Sequence, residues 1–154
     1  RQTTMTAEGQ HLTGKVGYDL IAEAGWDVTH VGGLTLGADP VTYAIVHHSR
    51  GCERVLDGFT VRKEAKGHGT GRAIEGGLPE DASVVIIEDA VTSGVSALKA
   101  IEAVREHGAQ VRGVLCIVDR EEGGKAKLDE LGLPLVAVFT GSELVAAAQE
   151  ASDA

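Results

Sequence analysis

The amino-acid sequence predicts an α/β fold with a doubly wound, mostly parallel sheet flanked by helices. Apolar runs of strand length alternate with helical patterns along the chain, as in successive βαβ units. The β-branched run Val84 to Ile87 is typical of a strand buried on both faces of a parallel sheet. A chain of 154 residues with 43% apolar content can bury one core, so residues 1–154 are expected to form a single domain.

The first half of the chain contains two predicted helices, two strands and a long loop. Gly32-Gly33 is expected to end the first strand, and Asp39-Pro40 to open the second helix with Asp39 as its cap. The second strand is expected to be interrupted at Asp57-Gly58. The predicted elements are a helix over Thr6–Ala24, a strand over Asp27–Val31, a helix from Asp39 to about His48, a strand over Arg54–Val61 and a glycine-rich loop over residues 62–77.

The second half continues the alternation of strands and helices. After the buried strand, the predicted elements are a helix over Val95–His107, a strand over Val111–Val118, a helix at about Gly124–Leu131, a strand over Leu135–Phe139 and a last helix from Ser142. In such sheets, ligands bind beyond the carboxyl ends of the strands. Gly32-Gly33, Glu88-Asp89 and Asp119-Arg120 all fall at predicted carboxyl ends, so we expect their loops to converge.

The segment Val84–Ser96 combines a strand, a loop of small residues and a helix start, which together predict a phosphate site. The free N–H groups and the positive end of the helix dipole attract an anion there. Glu88 and Asp89 beside it suggest ribose hydroxyls or a divalent cation, although solvated acids or a helix cap are the simpler alternatives. The chain contains neither a G-x-x-x-x-G-K-[ST] motif nor a G-x-G-x-x-G motif after a strand.

Basic residues are concentrated in the loop over residues 62–77. Such a loop is suited to clamp a polyanion such as diphosphate, and the alternative is a solvated charge run. Its cations are Arg62, Lys63, Lys66 and Arg72. For Arg120, spacing alone favours a surface ion pair with Asp119, Glu121 or Glu122.

Charge and composition exclude several partners. A net charge of −9 argues against nucleic acid as a binding partner. The sequence contains no run of 18 apolar residues, so no membrane span is predicted. Cys52 and Cys116 form no disulfide framework, which indicates a reducing compartment, expected to be the cytoplasm. Because the sequence starts at Arg1 in a polar stretch, we expect it to be a fragment of a longer polypeptide.

Four motifs resemble those of type I phosphoribosyltransferases, from about Val28 to the C-terminus. Residues 84–96, V-V-I-I-E-D-A-V-T-S-G-V-S, resemble the family's phosphoribosyl-diphosphate signature. Residues 62–69, R-K-E-A-K-G-H-G, resemble the catalytic loop of the orotate phosphoribosyltransferases. Residues 32–40, G-G-L-T-L-G-A-D-P, are similar to the diphosphate-binding loop, and residues 118–123, V-D-R-E-E-G, to the turn beside orotate.

The resemblance implies transfer of a 5-phosphoribosyl group to orotate, giving orotidine 5'-monophosphate and diphosphate in pyrimidine synthesis. It implies catalytic residues that also contact the diphosphate: Arg62, Lys63, Lys66 and His68. It assigns phosphoribosyl-diphosphate binding to Glu88, Asp89, Ala90, Val91, Thr92, Ser93, Gly94, Val95 and Ser96, and orotate binding to Thr92 and Arg120. It further implies Mg²⁺ near Glu88 and Asp89 without direct side-chain ligation, and a homodimer in which loop 62–77 reaches the neighbouring site.

The sequence departs from the family in two places. Leu36 stands where many members have a lysine in the diphosphate loop, and no N-terminal aromatic and basic segment covers the orotate side. The alternatives are a purine-type phosphoribosyltransferase and a non-catalytic sensor of phosphoribosyl diphosphate, which would share the motif at residues 88–96, and a chain that binds the donor without turning it over.

Overall fold

The computed structural model describes residues 3–63 and 73–153, with side chains to residue 152. The helices and strands alternate as the sequence predicts. They are a short 3-10 helix at Thr3–Met5, α1 Ala7–Glu23, β1 His30–Leu34, α2 Asp39–Ser49, β2 Asp57–Val61, β3 Ile74–Gly76, β4 Ser83–Val91, α3 Val95–His107, β5 Gln110–Asp119, α4 Gly124–Glu130, β6 Leu135–Thr140 and α5 Gly141–Asp153.

The six strands form one sheet in the order β3-β2-β1-β4-β5-β6. All neighbouring strands are parallel except β2 and β3, which pair antiparallel. The prediction of a doubly wound, mostly parallel sheet is therefore confirmed. None of the helices in the described ranges is both long and apolar enough to cross a membrane.

The central strand β4 separates two hydrophobic cores. Val84 and Ile86 point into the core that contains α3, whereas Val85 and Ile87 point into the core beneath α1 and α2. All four side chains are fully buried. Alternating side chains of a strand face opposite sides of a sheet, so a strand that is apolar on both faces needs helices packed against each face.

The predicted end of the first strand is wrong. β1 begins three residues after the expected Asp27 and contains Gly32 and Gly33 rather than stopping at them. A Cβ on Gly32 would collide with the carbonyl of Phe59, and one on Gly33 with the carbonyl of Ile87. The glycines therefore let the neighbouring strands approach, and the strand continues through them.

Two expectations for the following segment are also wrong. β2 begins at Asp57 and not at the expected Arg54, and Asp57 and Gly58, where an interruption was expected, pair in register with His30 and Val31 of β1. The end of the expected loop 62–77 contains the edge strand β3, whose Ile74 is buried in the core. Residues 64–72 of that loop lie outside the described residues.

Candidate active site

Three loops meet at the carboxyl edge of the sheet, as predicted. They follow β1, β4 and β5, and are residues 35–38, 92–94 and 120–123. The Arg120 N–H donates to the Val91 carbonyl at 2.8 Å, which joins the third loop to the end of β4, where the second loop begins. A Cβ on Gly37 would lie 2.8 Å from Asp89 Oδ1, so the first loop packs directly against β4. Residues distant in sequence therefore surround one surface.

The loop at residues 92–94 has the geometry of an anion site. Gly94 has a φ of 79°, in the left-handed region, and immediately precedes α3. Within the described part of the chain, the N–H groups of Ser93, Gly94, Val95 and Ser96 have no hydrogen-bond acceptor. A cavity of about 50 Å³ is lined by Glu88 and residues 90–97. Unpaired amides around a small cavity at a helix start are suited to a phosphate group.

Glu88 and Asp89 belong to β4 and do not follow it, which corrects the predicted strand end. As neighbours in a strand they face opposite sides of the sheet. Glu88 lines the phosphate-loop cavity, whereas Asp89 lies against Gly37 of the first loop. The two acids therefore serve different parts of the surface.

The Glu88 carboxyl group is held in its neutral form. Only 4% of the residue is exposed, and Oε1 has no hydrogen-bond partner among the described residues. Burial, and secondly the charge of Asp89, raises the pKa of Glu88 to about 8. A protonated carboxyl group at neutral pH can donate a hydrogen bond to a hydroxyl as well as accept one.

Asp39 does not cap α2, contrary to the prediction. The cap position is Ala38, and Asp39 is the first residue of the helix. Its Oδ2 accepts a hydrogen bond from Thr35 Oγ1 at 2.7 Å, and its Oδ1 accepts one from Thr60 Oγ1 at 3.2 Å. Asp39 thus fixes the loop at residues 35–38 to β2. Leu36 in that loop is 65% exposed.

The turn after β5 presents Arg120 beside the phosphate loop. Glu121 has a φ of 59°, and its N–H donates to Asp119 Oδ1 at 2.9 Å. Arg120 Nη2 pairs with Glu122 Oε1 at 3.0 Å, and both side chains are about half exposed. One of the surface ion pairs that spacing favoured is therefore present. Its exposure leaves the guanidinium accessible to another carboxylate.

The basic loop is described only at its two ends. Lys66, His68 and Arg72 lie outside the described residues. Arg62 pairs through Nη2 with Glu75 Oε1 at 2.5 Å, and its N–H donates to the Ala73 carbonyl at 2.8 Å. Arg62 therefore lies at the base of the β2–β3 hairpin, while Lys63 is exposed at the start of the loop.

Among the described residues, the carboxyl edge offers hard carboxylate oxygens but no complete set of protein ligands for a metal ion. Among residues 3–63 and 73–153, no three His, Cys, Asp or Glu side chains are grouped closely enough to hold a metal. Asp89 supplies the hard carboxylate oxygens that Mg²⁺ prefers, and one or two carboxylates plus phosphate oxygens are the usual set for this ion.

Sequence reasoning missed the contacts that Asp39 and Lys127 make at this surface. The Lys127 Nζ donates to the Ser93 carbonyl at 2.8 Å from a helix 34 residues away. Asp39 lies 21 residues from its partner Thr60. Contacts at such separation leave no local pattern in the sequence, and Asp before Pro is equally typical of a helix cap.

Comparison with known proteins identifies the family. The family model of the phosphoribosyl transferase domain matches residues 18–131. The orotate phosphoribosyltransferase of Aquifex aeolicus is 48% identical over 145 residues, covering 94% of this chain and 78% of the relative. That of Streptomyces avermitilis is 44% identical, covering 94% and 79%.

Solved structures similar to this chain belong to proteins of the same kind as the sequence relatives. The Mycobacterium tuberculosis orotate phosphoribosyltransferase in complex with 5-phospho-alpha-D-ribosyl 1-diphosphate has a TM-score of 0.82 and 39% identity, covering 94% of this chain and 80% of that one. A phosphoribosyltransferase from Corynebacterium diphtheriae has a TM-score of 0.84 and 40% identity, covering 94% and 82%. The chain belongs to the orotate phosphoribosyltransferase family.

Proposed function

We propose that this chain transfers the 5-phosphoribosyl group of phosphoribosyl diphosphate to orotate, giving orotidine 5'-monophosphate and diphosphate in pyrimidine synthesis. The observation that carries the proposal is the 2.8 Å hydrogen bond between Arg120 N–H and the Val91 carbonyl. It places residue 120 at the end of β4, where the phosphate loop begins, and the guanidinium group of Arg120 is about half exposed there. A guanidinium pairs well with a carboxylate such as that of orotate.

The donor would occupy the surface from Glu88 to Ser96. The free amides of the loop would bind the 5-phosphate. Glu88, as a neutral acid, and Asp89 would contact the ribose hydroxyls. The remaining residues of this segment would contribute backbone contacts around the phosphate: Ala90, Val91, Thr92, Ser93, Gly94, Val95 and Ser96.

The acceptor would lie between Thr92 and Arg120. Both are exposed at the edge of the sheet. The orotate carboxylate would replace Glu122 as the partner of Arg120. That exchange costs little, because exposed ion pairs contribute only about 0–1 kcal/mol.

Catalysis would come from position and electrostatics and requires no covalent nucleophile. As diphosphate leaves, C1 of the ribose develops oxocarbenium character and the orotate nitrogen attacks it. Lys66, with Lys63, His68 and Arg62, would stabilise the charge that develops on the leaving diphosphate. Arg62 would first have to release Glu75.

The same proposal includes a cofactor, an assembly and a location. Asp89 and Glu88 would lie beside a Mg²⁺ ion bound to donor oxygens, and this ion would neutralise charge on the diphosphate.

Residues 1–154 would act as one phosphoribosyltransferase domain in a homodimer whose loop 62–77 reaches the neighbouring site. No nucleic acid or membrane is part of the proposed function. The location would be cytoplasmic, in keeping with two free cysteines.

The test is an assay of the purified chain with phosphoribosyl diphosphate, Mg²⁺ and one acceptor at a time. Orotate should be consumed, whereas hypoxanthine, adenine and xanthine should not. Turnover of a purine alone would contradict the proposal. Calorimetric binding of the donor without any turnover would instead indicate a sensor or an inactive chain.

A further inference from the structure

The phosphate loop at residues 92–94 is held from behind by α4. The Gly124 N–H donates to the Thr92 carbonyl at 2.9 Å, and the Lys127 Nζ donates to the Ser93 carbonyl at 2.8 Å. A Cβ on Gly124 would lie 2.5 Å from Val91 Cγ1 and 2.6 Å from the Thr92 oxygen. The helix can therefore approach the loop this closely only because residue 124 is glycine.

These two bonds determine where the loop amides point. In a planar trans peptide, the C=O of one residue and the N–H of the next point in opposite directions. Because the Thr92 and Ser93 carbonyls point to α4, the Ser93 and Gly94 N–H groups point away from it. The cavity is lined by residues of the segment 88–97 and by no described residue of α4, in keeping with amides that point away from that helix.

The second of these peptides is the one most able to turn over. Gly94 follows it, and glycine accepts backbone angles on both sides of φ = 0. If this peptide rotated, the Ser93 oxygen would point into the cavity and would repel a phosphate. The Ser93 carbonyl has one side-chain donor among the described residues, the Lys127 ammonium.

We propose that Lys127 is a positioning residue, which holds the Ser93–Gly94 peptide in the orientation that binds the 5-phosphate of the donor. This inference rests on the proposed function for the identity of the donor. Lys127 is exposed and forms no ion pair with a described carboxylate, so its charge remains available to the loop. It acts through the loop and does not itself take part in the chemistry.

The experiment compares two lysines of the same helix. Lys127→Met removes the bond to Ser93, whereas Lys125→Met removes an ion pair with Asp129 and makes the same change of charge. Lys127→Met should weaken binding of ribose 5-phosphate about 5- to 30-fold, because a hydrogen bond from a charged donor is lost. Lys125→Met should change it less than about twofold, and Lys127→Arg should restore part of the loss because it keeps a charged donor.

The Kd for diphosphate distinguishes a positioning role of Lys127 from general damage to the fold. The 35–38 loop and the basic loop, not the 92–94 loop, would bind diphosphate, so Lys127→Met should leave its Kd unchanged in calorimetry. In the orotate assay, the KM for phosphoribosyl diphosphate should rise while kcat changes less than about twofold. Equal weakening of both ligands, or identical behaviour of the two methionine variants, would overturn the inference. The binding measurements need no turnover, so absence of the orotate reaction would refute the proposed function alone.

Discussion

Asp39 Oδ2 accepts a hydrogen bond of 2.7 Å from Thr35 Oγ1, across the loop that follows β1. The other carboxylate oxygen of Asp39 accepts from Thr60 on β2. This pair of bonds fixes to β2 the loop proposed to bind diphosphate, and Gly37 of the same loop packs against Asp89 of β4.

Thr35→Val should therefore weaken diphosphate binding. Valine keeps the shape of threonine but cannot donate, so the loop loses its bond to Asp39 and the partly buried carboxylate loses one of its two hydroxyl partners. We expect a rise in the Kd for diphosphate of about tenfold in calorimetry. Thr60→Val removes the longer bond to the same carboxylate outside the loop and should raise this Kd less than about threefold. Equal effects of the two variants would contradict a specific role of Thr35.

The neutral form of Glu88 predicts a pH dependence of stability. The pKa of Glu88 rises from its ordinary value of 4.5 to about 8 in the folded chain. Between these values the folded state holds a proton that the unfolded state has lost, so the free energy of unfolding falls as pH rises. The contribution is fully present below pH 4.5 and is lost by about pH 8; it is on the order of 3–5 kcal/mol.

Glu88→Gln tests that dependence. The amide has the shape of the neutral acid at every pH. The variant should thus resemble the wild type near pH 4.5 and become more stable than it as pH approaches 8, in urea unfolding followed by circular dichroism. A constant difference between the two proteins across this range would contradict a buried, neutral Glu88.

Glycine at position 33 is predicted to be required for the sheet. A Cβ there would collide with the Ile87 carbonyl and would meet the Ala38 side chain at 2.8 Å. Gly33→Ala should lower the free energy of unfolding by about 1–3 kcal/mol, the usual range for overpacking. Gly77→Ala is the matched control, because nothing lies within 4 Å of its added Cβ. Equal stability of the two variants would contradict the close approach of β1 to β4.

Sequence patterns predicted most of the fold, and the errors have a common physical cause. The β-branched run at Val84–Ile87 is typical of a strand buried on both faces, and the structure buries all four residues. Gly32-Gly33 and Asp57-Gly58, however, resemble turn sequences. In the sheet, Gly32 and Gly33 let the neighbouring strands approach closely, and Asp57 and Gly58 pair with β1. What such glycines do depends on neighbours from other strands, which local propensity does not contain.

The residues of the candidate site also differ in whether a local sequence pattern predicts them. Its phosphate loop is one continuous segment with a local signal, so Thr92, Ser93 and Gly94 could be chosen from the sequence alone. Arg120 needed the family resemblance, because its spacing equally predicts the ion pair with Glu122 that the structure contains. Lys127 acts on a carbonyl oxygen, and a contact to a distant backbone atom imposes no pattern on the sequence.

The ion pair between Arg120 and Glu122 predicts opposite effects on orotate. Arg120→Ala should raise the KM for orotate at least about tenfold, since a carboxylate loses a charged partner. Glu122→Gln frees the guanidinium and should lower this KM by about two- to fivefold, the range expected from an exposed pair. Binding of ribose 5-phosphate should be unchanged in both variants. An unchanged KM for orotate in Arg120→Ala would remove Arg120 from the acceptor site.

The proposed exchange of loop 62–77 between subunits predicts complementation. Lys66→Ala removes a charge from the basic loop, and Asp89→Asn removes one from the floor of the site, so each homodimer should retain less than about 1% of wild-type activity. After unfolding and refolding together at equal concentration, half of the dimers are heterodimers. In each heterodimer, one site contains two intact parts and the other contains neither.

Refolded mixtures should therefore recover roughly a quarter of wild-type activity per site, measured as orotate consumption. The necessary control is the same mixture combined without unfolding, in which subunits have not exchanged and activity should stay low. If the loop served its own subunit, each site of a heterodimer would still contain one defective part. Refolded heterodimers, identified by mass, would then be as inactive as the parent proteins, and the shared site would be wrong.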